Sequence, residues 1–123
     1  MIGLGIDAVE IDRFRHVLRR TPGVARRLFT EGERAYGARF SDPAPRLAAR
    51  FAAKEAAMKA LGVGLGAFSF QEIEVVRAPS GAPSLRLSGR AAGLAAERGA
   101  TSFRLSITHT DRTAEAVVAA LPR

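Results

Sequence analysis

The segment 50–62 constrains the fold of this chain most strongly, because nearly all of its residues favour a helix. Alanine, leucine, methionine, lysine, glutamate and arginine are all good helix formers. Pro43 and Pro45 fit near the start of such a helix, and Gly62 fits just past its end. One side carries apolar residues at helical spacing, namely Leu47, Phe51, Met58 and Leu61. The sequence therefore predicts a long helix with one face packed in a core.

The only two lysines of the chain, Lys54 and Lys59, lie in this helix, whereas every other member of the 19 lysines and arginines is arginine. Glu55 precedes Lys59 by four residues, so these two side chains share a helix face. Ala48 and Ala52 extend that face, and their small size would let another backbone or a ligand approach the charges. The lysine ammonium is a compact point charge, whereas the arginine guanidinium is planar and suited to bidentate contacts. The pattern favours a need for ammonium groups here, and chance placement on a solvated face is the alternative.

The length of 123 residues suits one domain with a sizeable core. The chain has no cysteine, which excludes disulfides and zinc–thiolate sites. Residues 1–12 lack the basic and apolar regions of a signal peptide, and no run approaches the roughly eighteen apolar residues of a spanning helix. We expect a single domain of residues 1–123 that is cytoplasmic and does not insert into a membrane.

The net charge of +7 is concentrated near the N-terminus, where residues 13–27 contain six arginines and no acid. A field of this sign attracts nucleic acid, an anionic membrane or an acidic protein. Aromatic residues are not interleaved with these arginines in a stacking pattern. This argues against binding of single-stranded nucleic acid.

The first residues predict a strand with two unlike faces. Ile2, Leu4 and Ile6 alternate with Gly3 and Gly5, and Asp7 ends the nearly bare face. After this strand the sequence predicts two short helices separated by a Pro-Gly break, the second over residues 24–29. Thr30 and Glu33 match a capping box for a third helix.

The second half of the chain predicts hairpins around one more helix. Strands are expected over residues 70–77 and 84–88, a helix over 89–98, and strands over 103–109 and 114–120. Together with the first half, this gives an α+β domain of antiparallel strands packed with the long helix.

Asp7 and Glu55 are the candidate metal ligands, one at the end of a strand and one on the long helix. Magnesium prefers few protein oxygens and keeps the rest of its octahedron for water and substrate phosphates. The alternative is an ordinary exposed ion pair between Glu55 and Lys59, which contributes only about 0.3–0.5 kcal/mol.

Two other motifs are less specific. Gly62, Gly64 and Gly66 follow a helix, whereas phosphate cradles precede one, so we interpret them as a helix cap and connector. His109 ends a strand in which apolar residues alternate with others. It is either a functional group or a histidine whose ring is hydrogen-bonded to the backbone. Asp111 could orient it, although aspartates are common in turns for local reasons.

Four stretches of the chain resemble the holo-acyl carrier protein synthases, the small class of phosphopantetheinyl transferases. They lie in the order and at the spacing of that family across nearly the whole chain. They are the opening strand with Gly5-Ile6-Asp7 and Arg13, the helix Arg50-Phe51-Ala52-Ala53-Lys54-Glu55-Ala56 with Lys59-Ala60-Leu61-Gly62, the turn Gly81-Ala82-Pro83, and the strand end Ser106-Ile107-Thr108-His109-Thr110.

The resemblance implies transfer of the 4′-phosphopantetheine arm of coenzyme A to a serine of an acidic apo acyl carrier protein, with release of 3′,5′-ADP. It implies magnesium as cofactor and a homotrimer with sites between subunits. By position, Asp7 and Glu55 would bind magnesium, and Arg50, Lys54 and Lys59 would hold phosphates. The resemblance also assigns further residues to the coenzyme A site, namely Gly62, Gly81, Pro83, Ser106 and His109.

Arg13, Arg19 and Arg20 would then receive the carrier protein. The general base stays open among Glu55, His109, Asp111 and a water molecule on the metal. Val63 and Thr113 depart from the family, which often has threonine and an aromatic residue there, respectively. A basic nucleic-acid-binding module without catalysis is the alternative function, and the resemblance implies that nucleic acid is not a partner.

Overall fold

The long predicted helix is the central element of the computed structural model, which describes residues 1–122. The predicted domain ends at Arg123, which lies outside the described residues. In chain order the elements are β1 (Gly3–Glu10), α1 (Ile11–Arg20), α2 (Val24–Leu28), α3 (Glu31–Gly37), α4 (Ala44–Ala60), a 3₁₀ helix (Phe70–Glu72), β2 (Ile73–Arg77), β3 (Pro83–Leu87), α5 (Gly89–Glu97), β4 (Ser102–His109) and β5 (Thr113–Leu121).

The strands form two antiparallel sheets, as the α+β prediction requires. One sheet has the order β1-β5-β4, and β2 pairs with β3 in the other. Asp7 lies opposite Ala116 in the first sheet, and His109 lies opposite Ala114. Helix α4 packs across this sheet and carries most of the buried alanines. Within residues 1–122, no helix combines the length and apolar character needed to cross a bilayer.

The strand predicted over residues 70–77 begins later than expected. Residues 70–72 form the 3₁₀ helix because Ser69 caps it: the Ser69 hydroxyl accepts a hydrogen bond from the Gln71 amide, and Glu72 bonds back to the Ser69 amide. The capping box predicted at Thr30 and Glu33 is confirmed at the start of α3.

The two faces of β1 are used in an unexpected way, because its glycine face is buried and its apolar face is exposed. A Cβ atom at Gly5 would lie 1.8 Å from the carbonyl oxygen of Ala56, and one at Gly3 would lie 1.9 Å from that of Ala60. Only glycine allows such a contact between two backbones. Leu4 is 60% exposed and Ile6 is 66% exposed on the opposite face.

Ala48 and Ala52 on α4 are fully buried in the core. Their small size therefore makes room for the protein's own chain, which agrees with the first of the two expectations, the approach of another backbone. A stacked pair of rings, Phe14 and Phe51, fills the neighbouring core beneath α1.

We predict that Gly5→Ala destabilises the fold by roughly 1–3 kcal/mol, because the new methyl group would force β1 away from α4. Gly93→Ala is the matched control, since Gly93 lies inside α5 with no atom within 4 Å of the new methyl position. That change should stabilise by about 0.4–1 kcal/mol. Urea unfolding of both variants measures the difference, and equal stability of Gly5→Ala and wild type would contradict the close contact.

Candidate active site

Asp7, Glu55 and Lys59 meet where the end of β1 crosses α4. The Lys59 ammonium donates to Asp7 Oδ1 at 3.0 Å and to the Ile6 carbonyl oxygen at 2.9 Å. The second carboxylate oxygen, Asp7 Oδ2, is buried and has no hydrogen-bond partner among the described residues. Lys59 therefore pairs with Asp7 across two elements, which differs from the Glu55–Lys59 pair considered as the alternative.

The electrostatics of this cluster leave it short of positive charge. Burial raises the pKa of Glu55, and the negative charge of the neighbouring Asp7 raises it further, to about 7. Lys59 lowers the pKa of Glu55 only in part. Two adjoining carboxylates with one unpartnered buried oxygen form a site that a cation would stabilise.

The donor set fits magnesium. Among residues 1–122, no group of three or more histidine, cysteine, aspartate or glutamate side chains could enclose a metal. Two carboxylates are the number that magnesium commonly takes from a protein when phosphates and water complete its shell.

A second group of charges lies on another part of α4. Arg46, Arg50 and Arg77 line a cavity of about 320 Å³ with Tyr36 and His109, and we call it the arginine cleft. The guanidinium carbon of Arg50 lies 4.0 Å from the centre of the Tyr36 ring, which is a cation–π contact. Arg77 Nη1 donates to the Tyr36 hydroxyl oxygen at 3.3 Å.

The arginine cleft suits an anion. Arg50 is only 5% exposed, and its Nε is buried with no partner among the described residues. Burial lowers the pKa of Arg50. A phosphate in the cleft would supply the missing acceptor and the missing negative charge. Pro83 also lines the cleft, and Gly81 lines a cavity of about 420 Å³ that shares Tyr36, Arg50 and Arg77.

Lys54 does not lie where it was predicted. Its side chain is fully buried, and its ammonium donates to Glu33 Oε1 at 2.6 Å and to the Phe70 carbonyl oxygen at 2.9 Å. An ammonium enclosed in this way has no open path to a phosphate, so the predicted phosphate contact of Lys54 is wrong.

Ser106 and His109 do not share a site within one chain. They are three residues apart on β4, so their side chains leave opposite faces of the sheet. His109 lines the arginine cleft, whereas Ser106 is near Ile6 and Val117 on the outer face. Asp111 is exposed in the β4–β5 turn, and the His109 ring instead contacts the Thr110 carbonyl oxygen at 3.2 Å.

Gly62 ends α4 as predicted. Its φ of 73° is the left-handed conformation of a helix cap, and its amide donates to the Lys59 carbonyl oxygen at 3.0 Å. Gly62 thus adjoins the backbone that carries Lys59.

The predicted docking arginines lie on the exposed side of α1. Arg13, Arg19 and Arg20 are all exposed, and Arg13 makes only a 3.9 Å contact with Glu10. Arg13 also borders an apolar cavity of about 360 Å³, whose other lining residues include Val9, Phe14, Val17, Leu28 and Phe51. This surface therefore combines positive charge with an apolar recess.

Sequence reasoning missed Tyr36, Arg46 and Arg77. Arg46 precedes Arg50 by four residues, so helical spacing could have placed both on one face. Tyr36 and Arg77 come from α3 and β2, and only the fold brings them together.

Comparison with known proteins gives one consistent result. The sequence model of the 4′-phosphopantetheinyl transferase superfamily matches residues 3–119. The holo-(acyl-carrier-protein) synthase of Frankia casuarinae is 48% identical over 98% of this chain and 97% of its own length.

Two solved structures resemble this fold closely. That of holo-(acyl-carrier-protein) synthase from Neisseria meningitidis has a TM-score of 0.88 and 32% identity, with 98% of each chain covered. The Helicobacter pylori enzyme, in complex with coenzyme A, has a TM-score of 0.82 and 32% identity, with 96% of this chain and 99% of that chain covered.

The raised pKa of Glu55 predicts a pH dependence of stability in the metal-free protein. The folded protein holds this proton more tightly than the unfolded chain, whose ordinary value is 4.5. The stabilisation is therefore complete below about pH 4.5 and is lost as the pH rises to about 7. Glu55→Gln should remove this decline in the unfolding free energy, whereas Glu97→Gln, an exposed acid at the end of α5, should keep it. Urea unfolding across this range tests the sign, and a decline that survives in Glu55→Gln would refute it.

Proposed function

The chain belongs to the 4′-phosphopantetheinyl transferase superfamily, and we propose from its relatives and its site that it is a holo-acyl carrier protein synthase. Such an enzyme transfers the 4′-phosphopantetheine arm of coenzyme A to a serine hydroxyl of an apo acyl carrier protein. A bond forms between the serine oxygen and the phosphorus that bears the arm, the bond to the leaving 3′,5′-ADP breaks, and the serine proton is lost. The observation that carries the proposal is the cluster of Asp7, Glu55 and Lys59.

The cluster suits phosphoryl transfer, which asks a protein mainly for positioning and for neutralisation of charge. Magnesium held by Asp7 and Glu55 would neutralise charge on the diphosphate of coenzyme A. Lys59 holds Asp7 in place from one side and presents its ammonium beside the same site. Of the protein groups considered as general base, Glu55 lies in this cluster, whereas His109 lies in the arginine cleft and Asp111 in an exposed turn.

The arginine cleft suits the nucleotide part of coenzyme A. Arg50 and His109 offer positive or hydrogen-bonding groups to a phosphate, and Pro83 offers an apolar wall. The Helicobacter pylori relative was solved in complex with coenzyme A, which supports a site for the same molecule here.

We further propose a homotrimer whose sites lie between subunits. Arg50 and Glu55 are five residues apart, which separates them by about 140° around α4, so the cleft and the cluster face different directions. Leu4 and Ile6 form an exposed apolar face on the sheet, and Ser106 lies beside it. Exposed apolar patches of this kind commonly mark interfaces between proteins.

We propose that the exposed arginines of α1 receive the acidic carrier protein. Complementary charge mainly raises the rate of encounter and fixes the register of docking. The apolar recess beside Arg13 would accept an apolar side chain of the same partner. A nucleic-acid-binding module has no support beyond net charge. Cytoplasmic residence is part of this proposal, with which the lack of cysteine is compatible.

The direct test is transfer of labelled phosphopantetheine from coenzyme A to a purified apo acyl carrier protein. Asp7→Ala and Glu55→Ala should each lower the rate by at least roughly a hundredfold, because each removes a ligand of a metal worth several kcal/mol. Chelation of magnesium should have the same effect on the wild type. Glu97→Ala, which removes an exposed carboxylate on α5, should leave the rate unchanged. Transfer at the wild-type rate by Asp7→Ala or Glu55→Ala would overturn the metal assignment, and no transfer by the wild type would overturn the function.

Subunit mixing tests the shared site. Glu55→Ala and His109→Ala chains should each be weakly active alone. The first lacks one carboxylate of the cluster, and the second lacks the histidine of the arginine cleft. If each site takes Glu55 from one subunit and His109 from the next, mixed trimers should regain roughly a quarter of the wild-type sites. Activity equal to the mean of the two parents would place both residues in one subunit. A monomeric mass at full activity would exclude the trimer.

Reversal of charge tests the docking surface. Arg19→Glu with Arg20→Glu should raise the KM for the carrier protein about tenfold relative to the wild type, and by a smaller factor at higher salt because salt screens these charges, with the KM for coenzyme A unchanged. Arg86→Glu with Arg90→Glu changes the net charge equally at exposed positions on β3 and α5, and should have a much smaller effect. Equal effects of the two double variants would show that only net charge matters.

A further inference from the structure

Glu33 and Lys54 form a buried ion pair that the transfer reaction described above does not use. Glu33 is 1% exposed and Lys54 is fully buried, with 2.6 Å between the ammonium and Oε1. The other Glu33 oxygen, Oε2, accepts the Val75 amide at 2.8 Å, and Lys54 also donates to the Phe70 carbonyl oxygen. We call Glu33 and Lys54 the buried pair. It ties together α3, α4, β2 and the 3₁₀ helix.

Three of the four elements tied by the buried pair, α3, α4 and β2, each present one residue of the arginine cleft at the next position on the same side. On α3, Tyr36 follows Glu33 by three residues, which is the spacing of one turn. On α4, Arg50 precedes Lys54 by four residues. On β2, Arg77 follows Val75 by two residues, so their side chains leave the same face.

Arg50 and Arg77 of the cleft both contact Tyr36. Arg50 lies over its ring at 4.0 Å, and Arg77 bonds to its hydroxyl group at 3.3 Å. Three elements must therefore keep their relative positions for both guanidinium groups to contact Tyr36. The buried pair is the polar contact that joins all three.

Stability alone does not explain a buried ion pair. The loss of water around two buried charges offsets much of their attraction, and an uncharged pair of similar volume is often as stable. Such pairs are retained in some proteins because they fix one arrangement of the elements around them. The position of this pair, one turn from the cleft on each helix, identifies the arrangement that it would fix.

We propose that Glu33 and Lys54 are positioning residues for the nucleotide site: the buried pair holds Tyr36 in contact with Arg50 and Arg77 and thereby sets the affinity for the 3′,5′-ADP part of coenzyme A. The ligand named here rests on the proposed function, whereas the positioning of Tyr36 does not.

The double variant Glu33→Gln with Lys54→Met tests this proposal, because it removes both charges and nearly keeps the volume. It should fold, yet bind 3′,5′-ADP at least roughly tenfold more weakly by calorimetry, since displacement of binding groups by about 1 Å can cost up to a hundredfold. The KM for coenzyme A should rise by a similar factor, with the KM for the carrier protein unchanged. A merely structural role would lower the folded fraction and hence kcat, and leave the KM for coenzyme A unchanged.

Tyr36 provides a second readout, since the chain contains one tyrosine and no tryptophan. The tyrosine band of the near-ultraviolet circular dichroism spectrum therefore reports on the ring that contacts both arginines. This band should weaken in the double variant. Val118→Ala is the control, because it removes methyl groups from the buried centre of β5, away from the cleft. It should lower the thermal midpoint and leave both the band and the affinity for 3′,5′-ADP unchanged.

If the double variant does not fold, the single variant Glu33→Asp tests whether the buried pair positions Tyr36. It keeps the charges and shortens one link by a methylene group, so it should weaken the tyrosine band and nucleotide binding together. A folded variant of either kind with the wild-type band and affinity would overturn the positioning role. Failure of the wild type to transfer phosphopantetheine would refute the proposed function instead, and the tyrosine band would still decide the role of the buried pair.

Discussion

The contact between the backbones of β1 and α4 determines where the candidate active site lies. Gly3 and Gly5 bring the strand against Ala60 and Ala56, closer than any side chain would permit. Asp7 is the next residue on the same face of β1, so this contact delivers its carboxylate to the last turns of α4. Glu55 and Lys59 meet it there. The exposed apolar face of β1 follows from the same contact, because the face opposite the glycines has no helix to cover it.

The charges that this contact brings together favour a bound ligand and lower the stability of the fold without metal. Two carboxylates adjoin, one oxygen is left buried without a partner, and the pKa of Glu55 rises to about 7. Unpaired polar groups of this kind are rare in protein interiors and commonly mark functional sites. The arginine cleft shows the opposite imbalance, with buried positive charge and no acid among its lining residues. A molecule that carries both a metal-bound diphosphate and a further phosphate would satisfy both.

The sequence predicted those parts of the site that depend on local spacing. The capping box at Thr30 could be inferred from spacing, and strand and helix periods indicated the faces that carry Asp7 and Glu55, whereas their meeting was suggested by their chemistry as metal ligands and by the family resemblance. The burial of the glycine face of β1 could not, because the alternation of apolar residues is the same whichever face is covered. Lys54 and Lys59 are both lysines on α4, so the sequence does not distinguish them. Lys54 is buried because its ammonium pairs with Glu33 on α3. Long-range pairing of this kind leaves no local signal.

Titration of the coenzyme A complex with magnesium near pH 7 tests the central claim, that Asp7 and Glu55 form one cation site. Calorimetry in buffers of different ionisation enthalpy measures both the affinity and the protons released. Because the pKa of Glu55 is about 7 without metal, the wild type should release a substantial fraction of a proton per chain as magnesium binds. Glu55→Gln should lose that release, and Asp7→Asn should bind magnesium more weakly. Equal affinity and equal proton release in all three proteins would contradict the account.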